Sequence, residues 1–216
     1  MSLFGSPLNE NDLILYVSFV AHAIIGHLKQ ADQIFHQHER EIERVAKHFR
    51  EQVPPKHRTL YRGLMLEPEH LGDATTPEAR AKHHLKYPHA GKFISFSTDK
   101  DVACFFADPK TQMSMVISAH RPRAEGYLLT LKNLDPSRVL WTYEWAKLPI
   151  GEARIDLVSI ILRSSLASRA AVIHRNLGEQ CEIITRLLRP SDQMKLVPLS
   201  ETACPTAREL DRRFGD

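Results

Sequence analysis

Arg62 sits in Leu60-Tyr61-Arg62-Gly63, a segment with strand composition, and carries a planar fork of donors. Such a guanidinium can grip a phosphate or ribose oxygen, although an arginine alone on a strand is more often a solvated edge or an ion-pair partner. Ser95, Ser97 and Thr98 end the run Phe93-Ile94-Ser95-Phe96-Ser97-Thr98. Their hydroxyls either position a polar ligand or cap the helix that follows. Gln180 and Glu182 stand two apart in Glu179-Gln180-Cys181-Glu182-Ile183-Ile184, so on an extended segment an amide and a carboxylate share one face. Each segment alone favours the plain structural reading. Their order along the chain is what gives them weight.

An arginine on a strand, a Ser-x-Ser strand end running into a helix, and a late Gln-x-Glu entering an apolar strand resemble the NAD-dependent mono-ADP-ribosyltransferases of the Arg-Ser-Glu class. In that family a Ser-Thr-Ser strand is followed by a helix with Ala and Phe-Ala at the offsets of Ala103 and Phe106. Ser95 matches the first Ser, Phe96 stands where the family has Thr, and Ser97 matches the last. The resemblance covers about 59–186, and the stretch from Trp141 to Gly178 departs from it as a long insert.

The resemblance implies NAD as co-substrate, no metal, and a site built from these residues. Arg62 would hold phosphate or ribose, with Gly63 letting the backbone approach a flat ring. Ser95 would support the catalytic carboxylate and the nicotinamide ribose, with Ser97 beside it in the NAD-binding set. Glu182 would bind a ribose hydroxyl. Cleaving the nicotinamide-ribose bond develops positive charge on the sugar, as glycoside hydrolysis does, and a carboxylate bonded there strengthens its hold as the charge grows.

By the same resemblance Gln180 would address the acceptor. Arginine-modifying members of the family carry Glu at this place, whereas Gln is similar to enzymes that modify an Asn amide of Rho-type GTPases or a guanine base. A primary amide both donates and accepts, so either target suits it. Glu179 points to the other face of an extended strand and does not replace the missing carboxylate. The basic balance of 29 Lys and Arg against 26 Asp and Glu tilts the expectation towards a nucleic acid base in RNA or DNA. So does the cluster His83, His84, Lys86, Tyr87, His89 and Lys92. A protein amide acceptor and hydrolysis of NAD by water are the alternatives within this class. An inactive fold serving as a binding module is the alternative outside it. A toxin, phage or defence effector would suit so small a transferase.

Two other chemistries find no support in the spacing. Cys181 has no local signature of a catalytic thiol. His36, His38 and His57 lack carboxylates or cysteines at ligand spacing.

These residues need a scaffold, and the pattern predicts an α+β fold. Asn9 or Asn11 can cap a helical region that runs without Pro from Asp12 to about Gln52 and breaks near Gly26 to Lys29 into two helices. The first is apolar around most of its circumference, as in a buried helix or one covered by an inhibitory or antitoxin partner. Short apolar runs after Thr59 predict strands at Leu60–Leu66, Lys92–Ser97, Met113–His120, Gly126–Leu131, Glu182–Leu188 and Met194–Pro198. Helices are predicted at Pro77–Leu85 and Asp99–Ala107. Within the insert, Leu157–Leu162 has strand composition and Ser164–His174 helical composition.

The organisation is thus a helical layer at 1–55, a core at 56–200 and a polar, loosely held tail at 201–216. With the resemblance, the core is expected to be a split antiparallel β-sandwich that clamps NAD. Cys104, Cys181 and Cys204, odd in number and without metal spacing, are read as reduced thiols in a cytosol. Acidic residues precede the first apolar run, and the first basic residue is Lys29, which is the reverse of a signal peptide. A soluble, cytoplasmic protein is expected, acting in the producing cell or in a target cell after delivery.

Overall fold

The computed structural model describes residues 8–24, 27–86, 93–111, 123–147, 149–150, 155–156, 181–186, 188–189 and 191–214. Along the chain they form α1 (Glu10–Ile24), α2 (Leu28–Gln37), α3 (Glu39–Gln52), β1 (Leu60–Leu66), α4 (Pro77–Leu85), β2 (Phe93–Ser97), α5 (Lys100–Ala107), β3 (Glu125–Lys132), β4 (Val139–Thr142), β5 (Pro149–Ile150), β6 (Ile155–Asp156), β7 (Glu182–Arg186), β8 (Gln193–Pro198) and α6 (Ala207–Phe214). The fold is α+β, and β1–β2, β1–β3, β3–β8, β4–β7 and β5–β6 all pair antiparallel. No helix among the described residues is long and apolar enough to cross a membrane. The expected strand Met113–His120, and the segments Leu157–Leu162 and Ser164–His174, lie outside the described residues.

The chain divides into two compact units, one of residues 1–55, 91–93 and 136–186, the other of 56–90, 94–135 and 187–216. A boundary between the units falls after residue 55. The helical layer is not a unit alone, however, because it shares its core with β4 and β7.

In this first unit α1 starts beside Asn9, whose side chain accepts from Asn11 N at 3.0 Å, and Glu10 and Asp12 complement the positive helix end. Nine of its fifteen residues are buried, which accounts for its apolar circumference. Among the described residues Ile14 is its one large apolar side chain left exposed. Among the described residues the layer holds three helices, not two. A second break falls at His38, where φ −129° and ψ 32° leave the helical region without any Gly or Pro to announce it. Tyr16, Phe19, Phe35, Phe49, Trp141 and Trp145 fill the core, with Phe19 edge-on to Phe93 at 5.0 Å between ring centres. Two polar ends are satisfied at depth: the Tyr16 hydroxyl donates to Leu140 O at 2.7 Å and Trp145 Nε1 to Val53 O at 2.9 Å. β4, Val-Leu-Trp-Thr, was not predicted; it pairs with β7 through Trp141↔Ile184 and Thr142↔Ile183.

The second unit has strand order β2-β1-β3-β8. β1 and β3 are zipped over seven register pairs, from Leu60↔Leu131 to Leu66↔Glu125, and β3 continues onto β8 from Tyr127↔Pro198 to Lys132↔Gln193. By contrast β1 and β2 share the single pair Tyr61↔Ser97. The sheet is pinned there and parted on either side.

Helix α5 lies on this sheet at two glycines. A β-carbon on Gly63 would fall 1.9 Å from Ala103 O, and one on Gly126 2.2 Å from Ala107 O. Two neighbouring strands thus lack side chains where the helix backbone touches them.

Two expectations about the C-terminal part are overturned. Cys104 and Cys204 are joined as a disulfide across 100 residues of sequence, so these thiols are not reduced, and Cys181 lies outside the disulfide. The tail is not loose: α6 buries Leu210, Phe214 packs on Phe105, and Arg213 bridges Asp99 and Asp101. Spacing arguments miss this because the two cysteines stand 100 residues apart in sequence and are neighbours only in the tertiary structure.

Candidate functional site

The Arg62 side chain spans the parted junction of β1 and β2. Its Nη1 donates to Ser95 O at 2.7 Å and to Ser95 Oγ at 3.0 Å. A guanidinium so takes the place of a ladder bond that the diverging strands do not make, and it fixes the Ser95 hydroxyl as an acceptor. Both residues are half-buried, open enough to meet a solute and enclosed enough to hold their geometry. Of the expected site residues, these two are brought together.

Ser97 lies two residues on and is buried. Its Oγ accepts from Asp99 N at 3.0 Å, and Asp99 Oδ1 accepts from Asp101 N at 2.8 Å as the N-cap of α5. Ser97 therefore does the work of a turn residue, which was its plain reading. Gly63 likewise has a packing reason. The close approach it permits is that of the α5 backbone at Ala103.

Glu182 belongs to the other unit, where it opens β7 and is only 8% exposed. Just before it Cys181 has φ +46°, a left-handed conformation rare for a residue with a side chain. The face-sharing of positions 180 and 182 assumed an extended backbone at 181. That alternation does not carry through Cys181, and Gln180 itself lies outside the described residues. Glu179 falls outside them too. Within β7, Ile184 and Arg186 follow Glu182 at the strand period and take its face. Arg186 donates from Nε to Glu43 and from Nη1 to Glu39 at 2.9 Å, and lies over the Phe35 ring. Burial disfavours the Arg186 charge, yet the Glu43 and Glu39 carboxylates more than offset it and raise its pKa. The far end of the strand that carries Glu182 is thus anchored to α3 at two carboxylates. Sequence gave no sign of this, because Glu43 and Arg186 are 143 residues apart.

Of the expected basic cluster, His83 and His84 lie in the last turn of α4 and Lys86 at its C-cap. The His83 ring sits where a β-carbon on Gly72 would go, 2.7 Å away, and Gly72 has φ +54°. Tyr87, His89 and Lys92 lie outside the described residues. Among the described residues no group of His, Cys, Asp and Glu is arranged to hold a metal ion.

The arrangement at Arg62 and Ser95 offers a cation and a hydroxyl at one strand junction, a donor set suited to phosphate and sugar oxygens. Glu182 offers a buried carboxylate on a braced strand. No family model, no curated protein and no solved structure matches the chain.

Proposed function

We propose that the chain is an NAD-dependent mono-ADP-ribosyltransferase of the Arg-Ser-Glu class, with the split antiparallel β-sandwich of that family. The reading rests on the three motifs, and the observation that supports it most directly is the pair of bonds from Arg62 to Ser95 across the junction where β1 and β2 part. Arg62 and Ser95 suit the phosphate and ribose oxygens of NAD by their donor chemistry.

NAD supplies a glycosidic bond whose leaving group, nicotinamide, departs with the bonding electrons. Glu182 holds a ribose hydroxyl and stabilises the positive charge that develops on the sugar. Gln180 presents the acceptor, whose nucleophilic nitrogen bonds to the ribose carbon and loses a proton. The favoured acceptor is a nucleic acid base, RNA or DNA, within the cytoplasm of the producing cell or of a target cell, and the role that of a toxin, phage or defence effector.

The test incubates the folded protein with NAD labelled in its adenylate half and a cell lysate. Parallel samples are then digested with protease, RNase or DNase. Label removed only by a nuclease supports the nucleic acid acceptor, and label removed only by protease assigns a protein side chain. Nicotinamide release without labelled macromolecule makes the protein an NAD glycohydrolase. Neither transfer nor nicotinamide release from folded protein overturns the proposal and leaves the binding module.

A further inference from the structure

We infer that the Cys104–Cys204 pair is a redox latch that decides whether the C-terminal segment 203–214 stays seated on α5. The inference does not depend on NAD.

Beside the disulfide, the segment is held by a small apolar cluster and by exposed polar contacts. Leu210 is the one residue of α6 that is buried. Phe214 meets Phe105 at 5.8 Å between ring centres. Lys100 Nζ donates to Ala203 O at 2.7 Å on the exposed surface. Arg213 reaches Asp99 and Asp101 at 2.7 Å each, but its side chain is 52% exposed, and such pairs are screened by water and salt. With eight residues, α6 is shorter than the roughly 12 to 15 that make even a favourable isolated helix marginal. Its cap, in which Thr206 N and Oγ1 donate to Glu209 at 2.9 and 2.7 Å, organises the first turn without attaching the helix to anything. The disulfide is the one covalent attachment of the segment, beside the small apolar cluster of Phe105, Leu210 and Phe214.

The two sulfurs differ in reach. Cys104 is fully buried on α5, whereas Cys204 is half-buried on the segment. A dithiol reductant therefore attacks Cys204 Sγ as a thiolate. The sulfur–sulfur bond breaks, and Cys104 leaves as a thiolate and takes up a proton. The second thiol of the reductant then displaces Cys204, which is protonated in turn. The protein gains two electrons and two protons, and the reductant ends as a cyclic disulfide.

Release is felt at the motif strand through a continuous set of contacts. Arg213 holds Asp99 Oδ2, Asp99 caps the first turn of α5, and Asp99 N donates to Ser97 Oγ. When the segment departs, the cap loses its cation, and the turn that follows β2 loses its outer support.

The experiment is hydrogen exchange read by mass spectrometry on the full chain carrying Cys181→Ser, so that Cys104 and Cys204 are the only responsive sulfurs. Oxidised protein is compared with protein reduced by dithiothreitol. Peptides covering 203–214 are expected to exchange at least about tenfold faster after reduction, with a smaller rise at the start of α5, while β3 keeps its protection. Reoxidation restores the first pattern. Unchanged exchange over 203–214 overturns the latch. So does loss of protection in β3, because the bond would then hold the whole fold. Arg213→Ala in the oxidised state should leave 203–210 protected, and release of the segment with the disulfide intact would assign the hold to the ion pairs instead.

Discussion

Arg62 is bonded twice to Ser95, through Nη1 to the backbone carbonyl at 2.7 Å and to the hydroxyl at 3.0 Å. The double contact falls beside the only register pair of β1 and β2, Tyr61↔Ser97, so one side chain both closes a gap in the sheet and presents charge at it. A lysine can supply the charge but not the planar fork. On the proposed function, Arg62→Lys is expected to weaken NAD binding by about 10- to 100-fold, the worth of roughly one or two lost charge-assisted bonds. Arg62→Ala should weaken it at least as much and also lower the melting temperature. Calorimetric titration with NAD, alongside thermal denaturation, separates the two effects. Wild-type affinity in Arg62→Ala would remove the residue from the site.

Gly63 and Gly126 lie under the carbonyls of Ala103 and Ala107, where a β-carbon would intrude to 1.9 and 2.2 Å. Backbone cannot yield as the end of a flexible side chain can. Gly63→Ala or Gly126→Ala should each destabilise the fold by about 1–3 kcal/mol, as overpacking does. The double variant should approach the sum less a shared part, because one helix shift relieves both clashes. Denaturant unfolding measures this. Were Gly63→Ala neutral in stability and harmful only to NAD binding, the ligand rather than α5 would be the reason for the glycine.

These contacts show what can be read from a sequence and what cannot. The helix Pro77–Leu85 was legible because Thr76 caps it and Pro77 suits its first position. The helix after β2 was legible from Asp99 and the apolar face of Val102, Ala103 and Phe106, and Leu60–Leu66 from its run of apolar residues between turn signals. All of these are local signals. His38 breaks a helical run with no residue that forbids helix, Cys104 meets Cys204 across 100 residues of sequence, and Arg186 meets α3 across most of the chain. At the site the same division holds. Arg62 and Ser95 are hydrogen-bonded, a contact that no local pattern announces, whereas the left-handed backbone at Cys181 undid the strand alternation from which the orientation of Gln180 had been read.

Tyr16 gives the first unit a defined response to alkali. Its hydroxyl donates to Leu140 O at 2.7 Å, and burial holds the phenol well above its ordinary range, with Arg50 opposing and Glu43 assisting. The unfolded chain releases this proton above about pH 10, whereas the folded chain keeps it. The contribution is therefore fully present below that pH and is lost as pH rises towards the folded pKa. Tyr16→Phe should cost about 1–3 kcal/mol at neutral pH, since the Leu140 carbonyl is left without its donor. It should also flatten the fall in stability above about pH 10. A residual slope is expected from Tyr127, which burial and then Glu125 also raise. Urea unfolding of both proteins across about pH 8 to 11 tests the sign, and an equally steep fall in Tyr16→Phe would exclude Tyr16 as its source.

Glu182 is the sharpest test of the proposed chemistry, because Gln keeps its shape and removes only the charge. β7 remains braced through Arg186 to Glu39 and Glu43, so Glu182→Gln should fold as the wild type does. If the carboxylate acts on charge that develops only as nicotinamide leaves, the rate of nicotinamide release should fall by about 100- to 1,000-fold, with NAD affinity within about threefold of wild type. Arg186→Ala provides the contrast. It leaves the carboxylate in place and removes the brace, so it should lower the melting temperature and reduce the rate by a smaller factor. Stopped assays of nicotinamide release at saturating NAD, paired with binding measurements, distinguish the two patterns. A Glu182→Gln protein that turned over NAD at the wild-type rate would show that Glu182 is buried for the fold alone, and the Gln-x-Glu segment would then lose its claim on the mechanism.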